Sequence, residues 1–143
     1  MKFIPKFLLL LAWAPALCLA DVYVIASVRS PLTEVSAREL QNLYMGRKRA
    51  LGSMEVTQPV DLPIPAPSRS AFYKAITGMG PAQISSYWAR LMFTGQTLPP
   101  VVTASEQTLQ AHLLQEPSAI GYASMPPKDE RLKVLAVLKE PGS

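Results

Sequence analysis

Short apolar runs rich in β-branched residues alternate with stretches of helical period along most of this chain. That alternation restricts the possible fold more than any other feature. Residues 21–26 read Asp-Val-Tyr-Val-Ile-Ala, the signature of a buried strand. A turn with Arg29, Ser30 and Pro31 leads to a helix start. Ser36 caps, Glu39 stands three residues on, and Val35 precedes the cap with Leu40 at the fourth helical position, so a capping box and a hydrophobic staple coincide. Leu40, Leu43 and Tyr44 share one face, and Gly46 stops the helix. Residues 47–59 read as loop, and residues 60–64 as a short strand ended by Pro63 and Pro65. Ser68 is a cap candidate for a second helix with Phe72, Tyr73 and Ile76 on one face and Gly78 after it.

Gly80-Pro81 opens a third helix, proline standing where its missing N–H costs nothing. Ile84, Tyr87, Trp88, Leu91 and Met92 form an unbroken apolar stripe. This helix is expected to be the main packing element, closed by Gly95. Residues 98–102, interrupted by Pro99-Pro100, read as an edge strand. Thr103 or Ser105 caps a fourth helix carrying Leu109, Leu113 and Leu114, which ends at Glu116-Pro117. Residues 119–122 and 132–138 complete the set as strands. The order predicts an α/β domain: a single lobe with a mostly parallel sheet flanked by about four helices.

The first 20 residues do not fit this scheme. Lys2 and Lys6 precede the apolar run 7–13, and small residues lead to Cys18-Leu19-Ala20. This is the layout of a secretory signal peptide, so the expectation is a signal at 1–20, cleavage after Ala20, and an exported domain at 21–143 that is periplasmic or secreted. The apolar stretch is too short to span a bilayer, which takes roughly 20 residues. Lipidation at Cys18 fits poorly, because Pro15 and Leu17 stand where a lipobox needs leucine and a small residue.

Removing the signal changes the electrostatics. Two of the 14 basic residues leave with it and none of the 10 acidic ones, so 21–143 carries a net charge of +2 rather than +4. Arg47-Lys48-Arg49 is the only basic run, and it suits the end of a helix dipole better than a nucleic-acid surface. The one cysteine is Cys18 and the one histidine His112, so the domain has neither disulfide chemistry nor a His/Cys zinc set. There is no nucleophile elbow, no paired His on a helix and no phosphate loop. The expectation is a non-enzyme without cofactor.

Two short stretches could recognise an anion. Pro67-Ser68-Arg69-Ser70 lies between a strand and a helix, where unpaired N–H groups and the helix dipole favour negative charge. Ser68 and Ser70 add hydroxyls, and Arg69 a two-pronged charged donor. Ser27-Val28-Arg29-Ser30 follows the first strand. If both segments lie outside strand C-terminal ends, they converge on one crevice. The same residues would equally serve as a plain helix cap and an ordinary polar turn.

Several stretches, taken in order, resemble phosphate-type substrate-binding proteins of ABC transporters. Ser36-x-x-Glu39-Leu40 through Tyr44-Met45-Gly46-Arg47 is similar to that family's S-x-E-L-x-x-I-F-x-G-K segment. Phe72-Tyr73-Lys74-Ala75-Ile76, Tyr87-Trp88 and Phe93-Thr94-Gly95 resemble the helices that follow. Glu116-Pro117-Ser118-Ala119-Ile120-Gly121-Tyr122 is close to T-P-G-A-I-G-Y. The resemblance implies a type II periplasmic binding-protein fold and an exported solute-binding module for phosphate or a related oxyanion, linked to ABC-type uptake or sensing. It places the family's G-S-G-T helix start on residues 66–70, with ligand contacts expected from Ser68, Arg69 and Ser70, and from Ser27, Arg29 and Ser30. The glycines of that motif are absent here. The length suits a single lobe of that fold, so the expectation is half a cleft. The alternative is a ligand-free module that contacts a membrane sensor or another envelope protein, or a second copy of itself as a homodimer; a membrane transporter is a partner expected of the first reading.

Overall fold

The computed structural model describes residues 21–139. The signal-peptide expectation therefore lies outside the described residues. The chain forms β1 (Val22–Ser27), α1 (Ala37–Tyr44), β2 (Gln58–Asp61), α2 (Pro67–Thr77), α3 (Pro81–Thr94), β3 (Val101–Val102), α4 (Glu106–Gln115), β4 (Ala119–Ala123) and β5 (Leu132–Leu138). The sheet order is β3-β2-β4-β1-β5. β2 is parallel to β3 and β4, while β1 is antiparallel to both β4 and β5. Four strands therefore run one way and β1 alone runs against them, which makes the sheet mostly parallel. β3 lies at the edge, directly after Pro99-Pro100.

The sequence signals at α1 are all realised. Ser36 accepts from Glu39 N, and Glu39 Oε2 accepts from Ser36 N. Beneath this helix is an aromatic cluster. Phe72 stacks on Tyr122 with centroids 4.1 Å apart, and Tyr44 meets Phe72 edge-on at 4.6 Å. Such pairs add about 1 kcal/mol each beyond the area they bury. The Tyr44 hydroxyl donates to the carbonyls of Val60 and Ile120, tying α1 to β2 and β4. α4 packs so closely on β4 that a Cβ on Gly121 would stand 2.6 Å from Leu109 Cδ2.

Three expectations are corrected. The second helix begins at Pro67 with Ala66 at the cap position, and no side chain caps it, so Ser68 is an in-helix residue. α3 is not the main packing element. It buries Ile84 and Trp88, leaves Tyr87 and Leu91 half-buried, and exposes Met92, because it lies toward the β3 edge where little sheet remains to cover it. Residues 47–59 also hold more than loop. Leu51 is buried and bridges Met54, and β2 starts at Gln58. Among the described residues no helix is long and apolar enough to cross a membrane.

Candidate functional site

The direction of β1 separates the two Ser/Arg segments. β2, β3 and β4 end at one edge of the sheet. β1 ends at the other, where Ser27 pairs with Leu132 at the start of β5 and Ala26 with Ile120 near the start of β4. The expected convergence does not occur. The Ser27–Ser30 segment instead closes on itself as a turn. Ser30 N donates to Ser27 O, Ser27 Oγ accepts from Arg29 N, and Ser30 Oγ accepts from Leu32 N. Arg29 Nη2 donates to Leu114 O in the last turn of α4, at 2.6 Å, where a cation suits the negative helix end. Lys133 Nζ takes the Ser30 carbonyl. These groups are occupied with holding the fold.

At the opposite edge, α2 starts six residues after β2 and α4 starts four residues after β3. The two helix starts face each other across an open cleft of about 490 Å³. Ser68, Ser105, Glu106 and Ser124 supply its polar lining, with Leu62 and prolines around them. α2 offers few amides. Pro67 has none, and Arg69 N–H turns back to Ala66 O, which leaves that of Ser68. At α4, Ser105 Oγ accepts from Thr108 N, so the amides of Glu106 and Gln107 are the first-turn donors without a helical partner.

Glu106, which sequence reasoning passed over, decides the electrostatics here. Its Oε1 accepts from Ser124 N at 2.6 Å and its Oε2 from Ser124 Oγ at 2.9 Å. The cleft thus already seats a carboxylate on a pair of donors at the end of β4. Each helix start contributes roughly half a positive charge, so two starts and one carboxylate come close to neutrality. Among the described residues no cationic side chain lines the cleft.

The tripeptide from residue 68 to 70 is split. Ser68 lines the α2–α4 cleft, Ser70 lines neither cavity, and Arg69 turns into a separate groove toward α3. There Asp61, a second residue missed from sequence, organises the end of β2. Its Oδ1 accepts from Leu62 N and from the Tyr122 hydroxyl, and its Oδ2 accepts from the Tyr73 hydroxyl at 2.6 Å. Arg69 Nε stands 3.6 Å from Oδ2, and its guanidinium lies over the Tyr73 ring at 4.8 Å. Burial, reinforced by the Asp61 charge, pushes the phenols of Tyr44, Tyr73 and Tyr122 well above the ordinary tyrosine range. A lone Asp in a short strand carries no signal for such a cluster, since its partners lie 12 and 61 residues away. His112 is half-buried, with Nε2 2.8 Å from Gln58 Oε1.

The fold is similar to that of a Clostridium perfringens protein assigned as a phosphate ABC transporter substrate-binding protein and solved with bound phosphate. The TM-score is 0.64 and the identity 15%, over 81% of this chain and 45% of that one. An ABC-type phosphate transport receptor from Vibrio cholerae is also similar, with a TM-score of 0.58 and 14% identity, over 81% of this chain and 46% of the receptor. The chain spans less than half the length of either structure. No family model matches the chain, and no curated protein matches it. The chain has the mixed α/β fold seen in phosphate-type substrate-binding proteins, as its ordered motifs led one to expect.

Proposed function

We propose that this chain is an exported solute-binding module for a small oxyanion of the phosphate type, working with an ABC-type transporter or a membrane sensor. The oxyanion seats in the cleft between the starts of α2 and α4. One observation carries this reading: two helix starts and the Ser68 and Ser124 donors line a single open cleft, and that cleft already holds an anionic carboxylate on Ser124. An entering oxyanion takes over the Ser124 donors as Glu106 swings into solvent. No catalytic step is assigned to it. Isothermal titration with phosphate, sulfate and arsenate tests the reading, with thermal unfolding as a second readout. A ligand at 100 times its dissociation constant stabilises by about 2.7 kcal/mol. Absence of heat and of any shift in melting temperature at millimolar anion would count against it.

The Glu106–Ser124 contact also favours a second reading, in which the cleft is satisfied internally and the domain acts as an interaction module for an envelope protein or a second copy of itself. Anion binding by the isolated chain, with sedimentation showing a monomer, would set this reading aside.

A further inference from the structure

We propose that the groove between α3 and the ends of β2 and β3 is a second binding site, separate from the α2–α4 cleft, for a small organic carboxylate with an apolar body. The groove holds about 480 Å³, within the range of small-molecule sites. Pro63, Trp88, Met92, Pro99 and Val102 give it apolar walls, and Arg69 lies within it.

Arg69 is 8% exposed, so nine-tenths of its side chain is buried. Among the described residues its Nε is buried without a hydrogen-bond acceptor. Asp61 does not fill that role. At 3.6 Å it neutralises the charge but is too far for a hydrogen bond, and its oxygens already accept from Tyr73, Tyr122 and Leu62. The geometry leaves a planar, charge-compensated fork stacked on Tyr73 and short of an acceptor. Buried donors in folded proteins are nearly always paired, so a guanidinium with its Nε left like this points to a partner from outside the chain. A carboxylate matches the fork with two parallel contacts. Trp88 Nε1, in the same lining, is likewise buried without an acceptor. The walls then select the remainder of the ligand. A bare inorganic oxyanion would leave Met92, Pro99 and Val102 uncovered, whereas a short aliphatic or aromatic chain lies against them.

The site is tested in the full chain carrying Trp13→Phe, which leaves Trp88 as the single tryptophan. Hexanoate is titrated against its neutral counterpart hexanamide, with Trp88 emission as the signal. Hexanoate is expected to give a saturable change, with hexanamide weaker by about tenfold or more, as loss of a charge-assisted pair implies. Arg69→Gln, which removes the charge, is expected to remove that preference. Should this variant fail to fold, Met92→Glu, on an exposed rim position, is expected to weaken hexanoate about tenfold by like-charge repulsion. Saturating phosphate should leave hexanoate binding unchanged, since it occupies the other cleft or none. The proposal is overturned if hexanoate fails to bind at millimolar concentration, if it binds no better than hexanamide, or if Met92→Glu has no effect.

Discussion

Replacing Glu106 by Gln isolates the one charge that opposes anion entry. The amide keeps nearly the same shape and an oxygen that still accepts from Ser124, whose N–H and hydroxyl hold the carboxylate at 2.6 and 2.9 Å. The change therefore removes charge with little loss of packing. Stability is expected to fall by less than about 1 kcal/mol, the usual contribution of an acid in a first helical turn. The effect on binding is larger. A carboxylate about 5 Å from a bound oxyanion repels it by about 3 kcal/mol per unit charge at an effective dielectric constant of about 20. The cleft is open to solvent, so part of this is screened, and affinity for phosphate should rise by about 10- to 100-fold. Titration calorimetry at low ionic strength and again near 0.15 M salt measures it, with circular dichroism confirming the fold. The gain should shrink with salt. Equal affinities in the two proteins, or tighter binding by the wild type, would refute the argument that Glu106 competes for the anion's place.

Three further outcomes follow from the packing. Asp61→Asn puts an amide among two phenol donors and leaves Arg69 buried without compensation, which is expected to cost about 3–5 kcal/mol by urea unfolding. Gly121→Ala drives a methyl into Leu109, and unless that side chain finds another rotamer the loss should be about 1–3 kcal/mol in thermal melts. Alkaline stability follows from the raised phenols of Tyr44, Tyr73 and Tyr122. The unfolded chain releases their protons near pH 10 while the folded chain holds them, so the folded state binds more protons and stability falls as pH rises. The stabilisation is fully present below about pH 10 and declines above it by about 1.4 kcal/mol per pH unit for each such tyrosine. Ultraviolet phenolate absorbance of these three should appear only together with unfolding.

The parts of this fold that were legible in sequence are those governed by local rules. The capping box at Ser36 and Glu39, the proline at Pro81 and the αL glycines at Gly78 and Gly95 act within one helical turn, and each stands where its chemistry required. Strand direction is not local. Val22–Ser27 looks the same whether it runs with or against its neighbours, yet its reversal carries Ser27, Arg29 and Ser30 to the wrong edge of the sheet. Helix faces fail for a related reason. The stripe on α3 is correctly periodic, but whether Met92 is covered depends on where the sheet ends. Glu106 drew no notice in the sequence. Its competing role depends on Ser124, 18 residues later and on another element. Arg69 was expected beside Ser68 and lines a different cavity, because one helical residue of rotation separates the α2–α4 cleft from the groove toward α3.

The most direct test of oxyanion capture between the two helix starts is an amide-resolved NMR titration with inorganic phosphate. Saturable shifts confined to the amides of Ser68, Glu106, Gln107 and Ser124, with the turn from Ser27 to Ser30 unmoved, are the expected result. Shifts centred on that turn, or a spectrum unchanged at millimolar phosphate, would contradict it.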